Sequence, residues 1–301
     1  MKITLNDRDS VLIWLYVEID QLYTQTDLFS YTERLSNNAT PFFSDVELLT
    51  CAVFAELLKQ RTRKWGYAYI KDHYAAWFPT LPCYEVYNRK LNKLHEAFAY
   101  IFSMLKTKYG EADQAIAMID TEPIEVCQQQ HSHDAKAARP FVSKGYCAAK
   151  KQYYVGAKLQ IIAQGRAHQL PFPGEYFLAT ASVHDLDIAQ TTLPDSDLKF
   201  IALYGDKAYI DKSFQLELFA NHGIALKTPH KKKKGQKHLR LFQQAENSIH
   251  ASIRQPIDAL FAWINDQTAI QNASKVRSMS GLFLHVHLKM LAALILLIVE
   301  F

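Results

Sequence analysis

The sequence predicts an α+β or α/β protein in which an all-helical N-terminal domain precedes a mixed sheet flanked by helices. Apolar residues recur at helical spacing through roughly the first 110 positions, strand-like apolar runs begin near Ala115, and helical and strand-like segments then alternate. With 301 residues, 49% of them apolar, the chain can bury one large core or two smaller ones. We predict domains at residues 1–112 and 113–301.

Two features characterise the N-terminal region. Ser44 and Glu47 have the spacing of a capping box and precede apolar positions at helical intervals, which predicts the start of a helix. Residues 61–93 interleave Lys and Arg with Trp and Tyr. This pattern suits phosphate contacts supported by stacking rings, and it equally suits ordinary solvated helix faces over an aromatic core. We leave the choice between these interpretations open and expect DNA binding from this domain.

Short apolar runs indicate strands in the second half of the chain. The run AIAMID ends at Asp120 and the run KFIALYGD ends at Asp206. Between them, QYYVGAKLQIIAQ and EYFLATASV are separated by Gly165, which predicts antiparallel strands joined by a turn. Gly223 follows KSFQLELFANH and predicts the end of a helix there.

Asp120 and Asp206 each follow an apolar strand. If these strands are neighbours, the two carboxylates lie near one end of the sheet. Two anions at that separation need a shared proton or a divalent cation between them, and hard oxygen donors favour Mg²⁺ or Mn²⁺. The simpler interpretation makes each residue a turn former or a helix cap.

Asp258 is the candidate for a third carboxylate. It lies two positions after Pro256, which fits either the first turn of a new helix or a kink in a longer one, and we expect Asp258 near a helix start, at the edge of an apolar stripe. Three carboxylates would hold two ions about 4 Å apart, an arrangement that promotes in-line displacement at phosphorus. The pattern therefore indicates nuclease or strand-transfer chemistry.

Several cationic residues are candidates for phosphate contacts. Arg254 lies four residues before Asp258, where it could bind a phosphate or steady the carboxylate. Lys158 and Lys207 are candidates whose alternative is an ordinary exposed lysine. Consecutive lysines repel one another unless an anion or water surrounds them, so a basic loop is the strongest candidate for DNA binding. Its residues are His230, Lys231, Lys232, Lys233 and Lys234.

Segments spread over nearly the whole chain carry a family resemblance. They include FSDVELLTCAVFAELL, MIDTEPIEVC, YYVGAKLQII, LYGDKAYID, LKTPHKKKK and RQPIDALF. In these segments the chain resembles DDE-type transposases of bacterial insertion sequences, most closely insertion-sequence family 982. The resemblance implies an RNase H-like core whose catalytic, metal-binding triad is Asp120, Asp206 and Asp258. The family has glutamate at the third position, so Asp258 withdraws the carboxylate by about 1.5 Å.

The resemblance also implies a function. It predicts an enzyme that uses two Mg²⁺ (or Mn²⁺) ions to cleave DNA at terminal inverted repeats and to join the ends to target DNA. The protein would act as a homodimer on paired ends, at the nucleoid in the bacterial cytoplasm. The alternative is a transposase relative that binds DNA ends without cutting them, because Asp258 replaces glutamate.

We expect no membrane partner. The uninterrupted apolar run at residues 290–299 is shorter than the roughly 20 residues of a spanning helix and predicts a buried terminal helix. A membrane-associated protein is the weaker alternative. The four widely spaced cysteines fit buried thiols in a reducing cytosol.

Overall fold

The computed structural model describes residues 3–5, 7–33, 41–60, 62–110, 115–128, 137–147, 151–199 and 201–300. The chain forms two compact units, Met1–Gly110 with Asp266–Phe301, and Glu111–Asn265. The expected boundary after residue 112 lies outside the described residues. The units differ from the predicted domains in one respect, because the C-terminal segment packs with the N-terminal helices.

Helices dominate the first unit. Its helices are α1 (Arg8–Gln25), α2 (Asp45–Leu57), α3 (Arg63–His73), α4 (Tyr84–Lys93), α5 (His95–Tyr109) and α9 (Met279–Ile298). Two short strands, β1 (Ile3–Thr4) and β8 (Val299–Glu300), pair in parallel. The predicted capping box of α2 is confirmed, since the Ser44 hydroxyl accepts from the Glu47 N–H at 3.1 Å and the Glu47 carboxylate accepts from the Ser44 N–H at 2.7 Å.

Helix α9 packs against α5 and α2 in the core of this unit. By length and composition it could cross a membrane, but 72% of its most apolar 18-residue window is buried inside the protein. The terminal helix is buried, as the sequence predicted, and its apolar character is accounted for by this packing. The prediction of buried thiols holds for Cys51 and is wrong for Cys83, which is exposed at the N-terminus of α4.

The second unit contains a mixed sheet flanked by helices. Its strands are β2 (Ile116–Gln128), β3 (Ser143–Cys147), β4 (Gln152–Gln164), β5 (Phe172–Thr180), β6 (Ala202–Tyr204) and β7 (Ala225–Lys227). The helices are α6 (Asp185–Thr192), α7 (Lys212–His222) and α8 (Leu241–Thr268), of which α8 ends in the first unit. The predicted mixed α/β architecture is confirmed and fits an RNase H-like fold.

Strand β4 organises the sheet. One of its edges pairs with β2, and its other edge pairs first with β3 and then with β5, all antiparallel. On the far side of β2, strands β6 and β7 continue the sheet in parallel, which gives the order β3-β4-β2-β6-β7. Helix α7 ends as predicted at Gly223, whose φ of 69° is in the left-handed region.

Two predicted boundaries are wrong. Strand β2 does not end at Asp120 but continues to Gln128, because β4 pairs with it over that whole length. Asp258 does not lie near a helix start, because α8 runs continuously through Pro256. In the C-terminal half of α8, Ile257, Leu260 and Ile264 are fully buried and anchor the helix despite the proline.

Candidate active site

Adjacent parallel strands position Asp120 and Asp206. Strand β6 pairs with β2 up to the register position Met118↔Tyr204. Asp120 and Asp206 each follow that last paired position by two residues, one within β2 and the other just beyond the end of β6. The two strands therefore bring the acids to the same level of the sheet.

A tight turn fixes the backbone around Asp206. The N–H of Gly205 donates to the Lys227 carbonyl at 3.0 Å, and the Asp206 carboxylate accepts from the Ala208 N–H at 2.7 Å. Asp206 thereby caps the 3₁₀ turn Lys207–Tyr209, so the simpler interpretation of this residue as a cap also holds. The ring of Tyr209, which is fully buried, lies directly beside Gly205.

Helix α8 contributes Arg254 and Asp258 from one of its faces, four residues apart. The Arg254 guanidinium donates from Nη1 to Asp120 Oδ2 at 2.5 Å and from Nη2 to Asp258 Oδ2 at 3.1 Å. The Asp120 and Arg254 side chains are 20% and 23% exposed, and that of Asp258 is 55% exposed. One arginine thus bridges two of the three predicted acids.

The three acids share one electrostatic environment. Burial, assisted by the charges of Asp206 and Asp258, raises the pKa of Asp120 to about 6, although the Thr121 N–H and Arg254 act to lower it. The positive charge of Arg254 therefore does not fully offset the burial of Asp120 and the two nearby negative charges. A cation near Asp120 would stabilise its ionised form.

The donors present suit a hard divalent cation, but their arrangement does not form a preassembled ligand cluster. Carboxylate oxygens are the ligands preferred by Mg²⁺ and Mn²⁺. Within the described ranges, no group of three or more His, Cys, Asp or Glu side chains is placed to hold a metal ion. Beside Asp120 and Asp258, the Arg254 guanidinium supplies positive charge instead.

The structure does not bring Lys158 to these acids. Its ammonium group donates to the Val183 carbonyl at 2.7 Å and pairs with Asp185 at 2.8 Å, at the start of α6. Its partner across the ladder is Pro123, an odd number of residues from Asp120, so alternation puts Lys158 on the opposite face of the sheet. Lys207 is exposed and directly follows Asp206.

His230, the first residue of the basic loop, connects the loop to helix α8. The His230 N–H donates to the Asn247 side chain at 2.7 Å, and the His230 ring contacts Glu246 at 2.6 Å. The side chains that follow are exposed, and one of them, Lys232, donates to the Lys237 carbonyl at 2.9 Å. These exposed residues are Lys231, Lys232, Lys233 and Lys234.

Sequence reasoning missed a buried polar group on the opposite face of the sheet. Gln160 is fully buried on β4, accepts from the Thr192 hydroxyl at 3.0 Å and lies 3.5 Å from the Tyr209 hydroxyl. The available signal was a glutamine inside an apolar run, since a buried amide needs hydrogen-bond partners. Glu122 was also missed: it is buried and two positions beyond Asp120 on the same face of β2.

Comparison with known proteins adds one match. A family model described as a transposase DDE domain matches residues 110–278, more than half of the chain. Neither a curated protein sequence nor a solved structure gives a significant match.

Proposed function

Because this chain belongs to the transposase DDE domain family, we propose that it is the transposase of a family 982-type insertion sequence, which cleaves DNA strands and joins them to target DNA. The observation that carries this proposal is the shared environment of Asp120, Asp206 and Asp258, in which the second and third acids raise the pKa of the first. Acidic residues that only form turns or caps act locally and would not need to lie within electrostatic range of one another.

The catalytic residues in this proposal are Asp120, Asp206 and Asp258. DDE transposase domains generally use divalent metal ions, and here the three carboxylates would hold two Mg²⁺ or Mn²⁺ ions. When bound, such ions activate an oxygen nucleophile and stabilise the leaving oxygen at phosphorus. The 3₁₀ cap holds Asp206 in a fixed orientation, and α8 sets the distance of Asp258 from the sheet.

DNA is the partner that the family implies. The Arg254 guanidinium can donate two hydrogen bonds at once. When the ions bind Asp120, it would release this carboxylate and pair with a phosphate of the DNA backbone. Lys207, which is exposed beside Asp206, and the basic loop that begins at His230 would contact phosphates further along the DNA. We assign Lys158 to the same set only if its pairing with Asp185 is exchanged for a phosphate. The helical residues 1–112 would bind the terminal inverted repeats, and a homodimer would hold paired ends.

A second candidate function is a DNA-end-binding protein that does not cut. The observation that favours it is the Arg254 bridge from Asp120 to Asp258, combined with the aspartate at the third position. An aspartate reaches less far than a glutamate, and misplacement near 1 Å can cost about 10²-fold in rate. Under this hypothesis the protein recognises ends and leaves them intact.

Strand cleavage with Mg²⁺ or Mn²⁺ separates the candidates. The substrate is a plasmid that carries the DNA flanking the coding sequence of this protein. We expect nicks at the element ends with the unmodified protein, no nicks with Asp120→Asn, and unchanged cleavage with Asp195→Asn, which makes the same charge change at an exposed aspartate. End binding without cleavage by the unmodified protein would favour the second candidate.

A further inference from the structure

An exposed aromatic pair lies on strands β3 and β4. Tyr146 and Tyr153 face each other across the ladder, with ring centroids 5.0 Å apart and an interplanar angle of 57°. Their residues are 52% and 49% exposed. Cross-strand aromatic contacts stabilise a sheet, but stabilisation alone does not require half of each ring to remain in water. The pair therefore leaves aromatic surface accessible to solvent.

The surroundings of this pair are cationic. The Lys144 ammonium group lies 4.5 Å from the centroid of the Tyr153 ring and is exposed. Strands β3 and β4 contain no Asp or Glu, and Lys144 and Lys151, each two positions from one of the tyrosines, are exposed. Because these exposed side chains are positively charged, charge complementarity favours a polyanionic partner over a cationic one.

Strand alternation relates the pair to the candidate active site. Ile161 pairs with Asp120 on β2, and Tyr153 pairs with Tyr146 on β3. Tyr153 and Ile161 are eight positions apart on β4, an even number, so the aromatic pair and Asp120 lie on the same face of the sheet. At about 3.3 Å per residue, the pair lies roughly 26 Å along the strand from Asp120. That distance corresponds to about eight base pairs of duplex at 3.4 Å each.

We propose that Tyr146, Tyr153 and Lys144 form a stacking site for unpaired DNA bases. The proposal rests on the proposed function, because it assumes that DNA runs across the face that carries Asp120. Each base has a π face that can lie on a tyrosine ring, and the Lys144 ammonium group pairs with the adjoining phosphate. Paired bases are stacked on one another within a duplex, so this site selects a strand that has separated from its complement.

Paired variants test the stacking role. Tyr146→Phe with Tyr153→Phe keeps both rings, and Tyr146→Ile with Tyr153→Ile keeps apolar side chains that favour a strand but removes the rings. Full-length protein is titrated into two labelled 30-base-pair duplexes, one blunt and one with a five-nucleotide single-stranded extension. Fluorescence anisotropy gives the two dissociation constants. The affinity for the blunt duplex reports whether each variant remains folded.

We expect the unmodified protein and the Phe variant to prefer the extended duplex by about tenfold, and the Ile variant to lose that preference. Lys144→Gln should lower the salt dependence of binding to the extended duplex by about one unit of slope. If the Ile and Phe variants show the same preference, the stacking site is wrong while the proposed function stands. If the unmodified protein binds neither duplex, both proposals fail. Tyr146→Ile alone, which keeps the contact between Lys144 and Tyr153, replaces the double variant if that variant does not fold.

Discussion

Arg254 and Asp120 form an ion pair at 2.5 Å although they are 134 positions apart in the sequence. Through this contact α8 is attached to the strand at the centre of the sheet. The same guanidinium also pairs with Asp258, so it occupies oxygens of two of the three acids that we propose as metal ligands. A metal ion bound by these acids would therefore compete with Arg254 for the same carboxylate oxygens.

Removal of the Arg254 charge should strengthen metal binding. In the variant Arg254→Gln the carboxylates lose their internal counterion, and an added cation no longer has to displace one. Because this change also raises the pKa of Asp120, binding is measured at about pH 8, where the carboxyl remains largely ionised. Titration with Mn²⁺, followed by electron paramagnetic resonance, should show an affinity several-fold above that of the unmodified protein.

Arg254→Lys is the matched control for that experiment. It keeps the positive charge and loses the forked geometry, so its affinity for Mn²⁺ should stay near that of the unmodified protein. Equal affinities in all three proteins would show that Arg254 does not compete with metal.

The variant Asp258→Glu should cleave DNA faster. The added methylene extends the carboxylate by about 1.5 Å, to the reach of the glutamate that the sequence resemblance implies at this position. Because misplacement near 1 Å can cost about 10²-fold, we expect a gain of that order in the rate of strand cleavage. Asp266→Glu makes the same change at an exposed position of α8 and should leave the rate unchanged. A slower rate for Asp258→Glu would mean that the site is built around aspartate.

Gly205→Ala should disturb the packing beneath the turn that carries Asp206 and thereby impair the candidate site. A Cβ at this position would lie 2.8 Å from Tyr209 Cδ2 and 3.2 Å from Ile119 Cγ2, so the buried ring or the turn that carries Asp206 must shift. We expect the free energy of unfolding to fall by about 1–3 kcal/mol, with loss of cleavage. Gly165→Ala is the control, because its nearest contact would be an ordinary 3.5 Å from the Ile116 carbonyl oxygen. Denaturant unfolding and the cleavage assay measure the two effects, and equal behaviour of both variants would contradict the prediction.

Neutralisation of the basic loop should flatten the salt dependence of DNA binding. When all four lysines are replaced by glutamine, the slope of log affinity against log salt should decrease by about 0.9 for each lost phosphate contact. Replacement of all four by arginine keeps the charges and should preserve the slope. The replaced residues are Lys231, Lys232, Lys233 and Lys234. An unchanged slope in the glutamine variant would remove this loop from the DNA interface.

Acid should destabilise the helical unit through His285. Burial, together with the charges of Lys289 and Arg63, lowers the pKa of this imidazole to about 3 from its ordinary value of 6.5. Between these values the unfolded chain binds a proton that the folded chain does not, so stability is complete above pH 6.5 and is lost as the pH falls. From pH 7 to pH 5 the loss should be about 2 kcal/mol.

Urea unfolding at the two pH values measures this loss. His285→Gln can still donate a hydrogen bond to the Ile270 carbonyl, which the imidazole contacts at 2.8 Å, and it does not titrate. The variant should therefore lose less stability than the unmodified protein over the same pH interval. The same loss in both proteins would assign the pH dependence to other groups.

Local rules were enough to predict the caps and the alternation of helices and strands. Ser44 with Glu47 and Gly223 act within a few residues of their own positions, so their neighbours in the sequence determine them. The similar position of Asp120 and Asp206 after apolar runs was visible in the sequence, but only the pairing of β2 with β6 brings the two acids to the same level of the sheet. The membership of the transposase DDE domain family likewise agrees with motifs visible in the sequence.

The mispredicted features depend on contacts with residues that are distant in the sequence. Strand β2 continues past Asp120 because β4 supplies hydrogen bonds to it as far as Gln128, which the run AIAMID does not reveal. Helix α8 passes through Pro256 because Ile257 and Leu260 are buried, a packing effect that outweighs the local cost of proline. The contact of Arg254 with Asp120 depends on the docking of that helix and could not be read from the spacing of either residue.

Pro256 lies between Arg254 and Asp258, and it cannot donate a hydrogen bond to the Ser252 carbonyl one turn earlier. The turn that carries the guanidinium is consequently joined to the turn that carries the carboxylate by one backbone hydrogen bond fewer than usual. The half of the helix before Pro256 is held by His250, which is buried and contacts the Lys227 carbonyl at 3.1 Å, and the half after it buries Ile257 and Leu260. Both sides of the missing hydrogen bond are held by contacts outside the helix, so Arg254 keeps its contacts with Asp120 and Asp258 although the helix lacks that bond.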